Sequence, residues 1–212
     1  GQLGRMFAHA AQQMGYFVAV LDPDPASPAG LVAHYHVESG YLDEQGLAQL
    51  MQRSAAITTE FENVPAAALV TLGAHRPVAP DADAVAICQD RAAEKRHFVR
   101  CGVPCAAHAL IESAEQLAAV DAAVLLPGIL KTSRLGYDGK GQVRVKDRTE
   151  LAAAWDALRH VPCVLEQRLE LAHEISVIVA RGADGTSVHL PPRLSLHRDG
   201  ILAVTSVPAR GI

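Results

Sequence analysis

Apolar residues recur at helical spacing from the first turn of the chain. Leu3, Phe7, Ala10, Ala11 and Met14 fall on a period near 3.6, and Gly15 supplies a stop. The period then changes: Tyr16 to Leu21 is an unbroken apolar run ending at Asp22, the pattern of a parallel strand buried on both faces. Pro23, Pro25 and Pro28 make a rigid connection, and Leu42 to Met51 returns to amphipathic helical spacing behind an Asp43-Glu44 start. Ala55 to Thr59 predicts another strand. It runs into Glu60-Phe61-Glu62-Asn63-Val64-Pro65, where Pro65 opens a helix.

A glycine turn, a helix and a strand ending in an acid make up half of a dinucleotide-binding βαβ fingerprint. The strand that should precede the turn is not in the sequence, so the chain is expected to be a fragment cut inside its first motif. Glu60 and Glu62 follow a strand, at the end where open α/β sheets bind ligands. Their other reading is as acids capping the next helix.

The stretch Gly73 to Asp83, rich in Pro, Ala and Asp, ends the alternating βα pattern and is the candidate domain boundary. A helix is predicted from Asp90-Arg91 to Cys101 and another around Glu112 to Val120. Leu125 to Lys131 is a strand that delivers a lysine into Lys131-Thr-Ser-Arg-Leu-Gly-Tyr-Asp-Gly-Lys-Gly-Gln142. Val143 to Val145 leaves that loop as a strand, and Leu151 to Leu158 is a helix with Trp155 in the core. Val161 to Gln167 is a strand ending in polar residues. Glu174 to Ala180 is a further strand, joined through Gly182 to Gly185 to Ser187–Leu190 as an antiparallel hairpin. The predicted fold class is α/β: a Rossmann-like parallel-sheet domain at 1–88, then an incomplete α+β domain at 89–212.

Composition narrows the function classes. Half of the 212 residues are hydrophobic and the net charge is −4, which gives a polyanion no overall attraction, so neither nucleic acid nor a membrane surface is an expected partner. No apolar run approaches the roughly 18 residues of a membrane span, and the beginning lacks signal-peptide order, so the expected compartment is the cytoplasm. Cys88, Cys101, Cys105 and Cys163 are expected to be reduced thiols. Cys101-x3-Cys105 has no second Cys or His pair at zinc spacing, and His34 and His36 are expected to decorate a loop or strand end.

Candidate chemistry concentrates between Lys131 and Gln142. Gly136, Gly139 and Gly141 permit backbone conformations in which successive N–H groups turn toward an anion, and Lys131 and Lys140 bracket them. The spacing is not that of a P-loop, and the loop feeds a strand rather than a helix. A tight glycine turn without a ligand would show the same residues. Glu166-Gln167 and Glu174, at the ends of neighbouring strands, add polar anchors.

Six ordered motifs then agree with one family: Gly-Gln-Leu-Gly-Arg-Met at 1–6, Thr-Glu-Phe-Glu-Asn-Val at 59–64, Asp-Arg at 90–91, Gly-Tyr-Asp-Gly-Lys-Gly-Gln at 136–142, Val-Leu-Glu-Gln at 164–167 and His-Arg-Asp-Gly-Ile-Leu at 197–202. The sequence resembles the N5-carboxyaminoimidazole ribonucleotide synthetases, ATP-grasp ligases of purine biosynthesis. That resemblance implies ATP-dependent carboxylation of 5-aminoimidazole ribonucleotide with bicarbonate, through carboxyphosphate. It implies an ATP site made by Arg91, Lys131, Gly136, Tyr137, Asp138, Gly139, Lys140, Gly141, Gln142, Glu166, Gln167, Arg168, Leu169, Glu174 and His197. Gln2, Glu60 or Glu62, Tyr137, Asp138 and Lys140 would lie near the imidazole nucleotide, and Asp138, Lys140 and His197 would take part in the chemistry.

The same resemblance implies Mg2+, with its acidic ligands expected beyond Ile212, and a homodimer at full length. The 212-residue chain alone is therefore expected not to turn over. Leu135 stands where the family commonly has Gly, and Leu194-Ser195 where it usually shows Glu-Asn. Another ATP-grasp carboxylase or ligase, or a nucleotide-binding module without chemistry, remains the alternative.

Overall fold

The computed structural model describes residues 1–136, 140–198 and 201–209. Two compact units divide the chain, Gly1–Cys105 and Ala106–Ile212.

The first unit opens with helix α1 (Gln2–Gln13), which ends before Gly15 at φ +86°. The helical period is as predicted, but the buried face is the other one. Gly4 and Ala8 are buried, whereas Leu3, Met6, Phe7 and Met14 are at least half exposed. Small residues decide this, because they admit the closest backbone approach. A Cβ on Gly4 would lie 2.9 Å from Glu60 Oε1 and 3.2 Å from the Ala29 Cβ.

Strand β1 (Ala19–Leu21) pairs in parallel with β2 (Tyr35–Val37), placing Leu21 opposite Val37. The predicted run from Tyr16 is shorter as a strand and is not buried on both faces: Phe17 is 82 % exposed and β1 is half-buried throughout. His34 and His36 each hold the main chain beside it. His34 Nδ1 accepts from Val18 N–H at 3.1 Å, and His36 Nε2 lies 3.0 Å from Asp22 O.

Helix α2 (Glu44–Arg53) begins where Asp43 accepts from Gly46 N–H, as the acid at its start predicts. The strand expected at 55–59 contracts to one parallel bridge between Ile57 and Val78. Helices α3 (Ala66–Gly73), α4 (Ala82–Cys88) and α5 (Arg91–Arg100) follow, with α5 packed on α4 in the first unit. Leu47, Leu50, Ile57, Ala68, Leu69, Leu72 and Val85 form the core. Burial of each large aliphatic side chain there contributes on the order of 1.5–3 kcal/mol.

The second unit is organised by an antiparallel sheet of β3 (His108–Ile111), β4 (Gly128–Thr132), β5 (Gln142–Val145) and β6 (Cys163–Gln167), in the order β3-β6-β4-β5. Strand alternation gives it two unlike faces. Ile111, Leu130, Val145, Cys163 and Leu165 point to the core side, where α6 (Ala114–Ala118) packs Leu117, the α6–α7 connection Val120, α7 (Ala122–Leu125) Leu125, and α8 (Arg148–Ala157) Leu151 and Trp155 around them. Trp155 is in the core as expected, and its indole N–H donates to Val161 O at 3.1 Å.

The expected strand 174–180 is two strands in two sheets. Strand β7 (Glu174–Ser176) pairs with β10 (Arg193–Arg198), which pairs in turn with β11 (Ile201–Ser206). Strand β8 (Val179–Arg181) forms the predicted hairpin with β9 (Ser187–His189), so Val177-Ile178 carry the chain from one sheet to the other. No residue of β7 to β11 is buried.

Candidate functional site

The face of the four-stranded sheet turned away from the core carries three of the polar residues singled out in the second unit. Lys131 on β4 is opposite Gln142 on β5 and Val164 on β6, and Glu166 lies two residues beyond Val164. By alternation Lys131, Gln142 and Glu166 therefore share one side. The pairing is direct: Lys131 Nζ is 3.0 Å from Glu166 Oε2, with side chains 24 % and 16 % exposed. A half-buried ammonium fixed in this way is a positioned donor for an anion.

The loop joining β4 to β5 leaves directly from Lys131. Thr132 N–H donates to Gly141 O at 2.8 Å, closing the loop at its base. Gly141 has φ +69°, a conformation that favours glycine. Lys140 is exposed. Tyr137, Asp138 and Gly139 lie outside the described residues.

Strand β6 ends with its backbone engaged on both sides. Gln167 N–H donates to Ala107 O and Arg168 N–H to Pro127 O, at 2.8 and 2.9 Å, while Leu169 is about half exposed. On the separate three-stranded sheet, Glu174 is opposite Ser195, and His197 stands two residues further on β10. Glu174 Oε2 and His197 Nδ1 are 2.6 Å apart. The register shift at Leu196/His197 sets His197 opposite Leu202.

In the first unit, Gln2 opens α1 and Arg91 opens α5 behind its Asp90 cap. Glu60 lies beneath the first turn of α1, its Oε1 3.6 Å from the Gly1 nitrogen. Neither Glu60 nor Glu62 caps α3, whose N-cap position is Pro65 with no side-chain cap bond. Glu62 is fixed through its backbone: the buried Gln89 side chain donates to Glu62 O and Val64 O, both at 2.6 Å.

Tyr41, which the sequence did not single out, joins this group, as does Asp22, the acid that ends the first predicted strand. Burial, reinforced by the nearby carboxylates of Asp22 and Glu60, holds the Tyr41 phenol above its ordinary pKa, and its ring lies 6.5 Å from that of Phe61. The signal for Asp22 was its place at the end of a parallel strand. Tyr41 offered none.

Among the described residues no group of three His, Cys, Asp or Glu side chains could hold a metal ion, Cys101 and Cys105 included. A groove of about 420 Å³ between β3 and α6–α7, lined by His108, Leu110, Gln116 and Asp121, contains none of the expected site residues.

Residues 1–89 match the family model of the ribonucleotide synthetase pre-ATP-grasp domain, and residues 96–211 that of the ATP-grasp domain. The chain is 42 % identical over 211 residues to the N5-carboxyaminoimidazole ribonucleotide synthase of Brucella melitensis, and 37 % over 210 residues to that of Bacillus subtilis. These alignments take in 99 % of this chain but 58 % and 55 % of the relatives, so the chain spans a little over half their length. Among solved structures, an ADP complex of N5-carboxyaminoimidazole ribonucleotide synthetase superposes with a TM-score of 0.92 at 36 % identity, covering 99 % of this chain and 56 % of that one. The Aspergillus clavatus synthase in complex with ADP and 5-aminoimidazole ribonucleotide gives a TM-score of 0.86 at 25 % identity, covering 100 % and 56 %.

Proposed function

Because the chain belongs to the ATP-grasp family, we propose that it carries the nucleotide-binding and substrate-binding portions of an ATP-dependent synthetase that carboxylates 5-aminoimidazole ribonucleotide with bicarbonate in purine biosynthesis. The observation that carries this reading is the polar face of the β3-β6-β4-β5 sheet. There a half-buried Lys131, held by Glu166, stands at the root of a glycine loop. A fixed ammonium beside a loop rich in backbone N–H groups suits phosphate oxygens.

In this proposal Lys131, Arg91 and the loop from Gly136 to Gln142 bind the triphosphate. The backbone of Glu166 to Leu169 meets the adenine edge, Glu174 takes the ribose hydroxyls, and His197 is oriented by Glu174. Gln2 and Glu60 hold the imidazole nucleotide in the first unit, with Tyr137, Asp138 and Lys140 as further contacts. Glu60 is favoured over Glu62 because its carboxylate lies under the first turn of α1. The functional domains divide near residue 88, so that Arg91 is assigned to the ATP-grasp portion of the sequence.

The reaction balances in two steps. A bicarbonate oxygen attacks the γ-phosphorus of ATP, the bond to the β-γ bridging oxygen breaks, and ADP leaves. The substrate's exocyclic amine then attacks the carboxyl carbon, directly or after release of CO2, phosphate departs, and the amine loses a proton. Positioning and fixed positive charge are the protein's contribution. The described residues offer no three-ligand set for the Mg2+ that the family resemblance implies, so no step is assigned to it.

No helix of the described residues is long and apolar enough to cross a membrane. We place the enzyme in the cytoplasm, as a homodimer. ADP release by the protein that carries these residues, measured with bicarbonate and each candidate acceptor in turn, tests the assignment. Release that depends on 5-aminoimidazole ribonucleotide is expected. Release that depends instead on formate with glycinamide ribonucleotide, or on biotin, would move the chain to another ATP-grasp reaction.

A further inference from the structure

At its base the loop between β4 and β5 is held by the backbone and the hydroxyl of Thr132. Its N–H donates to Gly141 O at 2.8 Å, and its hydroxyl donates to Arg134 O at 2.9 Å. The chain is thereby turned back two residues after it leaves the strand. Opposite, Gly141 approaches so closely that a Cβ there would lie 2.7 Å from the same hydroxyl oxygen and 3.5 Å from the Gly136 Cα.

Two neighbouring features show that this geometry is imposed on the chain. Ser133 is buried, and its N–H donates to Pro162 O at 2.8 Å, which ties the outgoing strand to the sheet. Leu135 has φ +60°, a conformation that L side chains disfavour, yet its side chain is 72 % exposed and gains little packing in return. The Thr132–Arg134 bond is a local contact immediately before this residue.

We propose that Thr132 is a positioning residue for nucleotide binding. By holding Arg134 O on one side and abutting Gly141 on the other, its hydroxyl fixes the width of the loop's neck. It thereby sets the spacing of Gly136 and Gly141, the described glycines at the two ends of the loop, one residue beyond the lysine proposed to bind phosphate. This inference rests on the ATP reading of the same face.

Thr132→Val keeps the shape and removes the hydroxyl, whereas Thr132→Ser keeps the hydroxyl. Two readouts separate the neck from the nucleotide. The first is limited tryptic cleavage after Arg134 and Lys140 without nucleotide. The second is the Kd for Mg-ATP by titration calorimetry, with the melting temperature as a folding control. Thr132→Val is expected to speed cleavage several-fold and to raise the Kd about tenfold at an unchanged melting temperature, and Thr132→Ser to behave like the parent.

Unchanged cleavage and affinity in Thr132→Val would overturn the proposal, as would equal losses in Thr132→Ser. If Lys131→Ala loses ATP while Thr132→Val does not, the neck fails and the nucleotide reading stands. If the parent protein takes up no ATP, the nucleotide reading falls and this inference falls with it.

Discussion

Lys131 and Glu166 are 35 residues apart in sequence, yet their charged groups meet at 3.0 Å across β4 and β6 on the sheet face opposite the core. The contact is a diagonal one: Lys131 faces Val164, and Glu166 is the next residue on that side. Val164, on the same face beside the pair, is fully buried. Both side chains are more buried than an ordinary surface pair, so their coupling should exceed the few tenths of a kcal/mol typical of exposed ions. A double-mutant cycle with Lys131→Ala and Glu166→Ala, read by chemical unfolding, is expected to give about 1 kcal/mol. Additive losses would mean that the pair is no more than two neighbouring charges.

Gln89 should be among the polar residues whose loss costs the first unit most. Its amide serves two carbonyls, Glu62 O and Val64 O, in the segment that carries Glu60. Gln89→Leu keeps the bulk and leaves both acceptors without that donor, a loss of about 2–3 kcal/mol. A melting temperature within a degree of the parent would show that water replaces the amide without cost.

Glu60 and Lys131 are expected to separate the two substrates. Glu60→Gln removes the charge beneath the first turn of α1 and should lower kcat/KM for the imidazole nucleotide by about a hundredfold, with the Kd for ATP unchanged. An equal loss of ATP affinity would place Glu60 in the nucleotide site instead.

Cys163 supplies the pH test. It is fully buried, and burial pushes its thiol up to about 11 from an ordinary value of 9.0. The folded protein therefore holds the proton more tightly than the unfolded chain between those values. The resulting contribution is present below pH 9 and is lost as pH rises toward 11. Native protein at pH 8 should expose three reactive thiols, Cys88, Cys101 and Cys105, to a disulfide reagent, and four in denaturant. Melting temperature should fall more steeply above pH 9 in the parent than in Cys163→Ala. Four thiols reacting at one rate in the native protein would contradict the buried assignment.

What the sequence disclosed followed the range of the interactions. Lys131, the glycine loop and the strand leaving it are contiguous, so one apolar run, three glycines and a return to alternation revealed the β4–β5 hairpin. Asp43 and Asp90 announced their helices because capping is local. The buried face of α1 was hidden: Leu3 and Phe7 carry the hydrophobic signal, but Gly4 and Ala8 are the buried residues, and Gly4 sits where a Cβ would crowd Ala29 and Glu60. Tyr41 was equally hidden, since its neighbours Asp22 and Glu60 lie 19 residues away on either side and only the fold assembles them. The division at Val177-Ile178 could not be seen because an apolar run looks the same whether it stays in one sheet or crosses to another.

Lys131 and the loop it introduces are proposed to bind the phosphates of ATP. Titration calorimetry of Mg-ATP into the parent protein and into Lys131→Ala tests it most directly. Removing one charge-assisted contact to phosphate should raise the Kd by about ten- to a hundredfold, with the fold intact by circular dichroism. An unchanged Kd in Lys131→Ala would contradict the account.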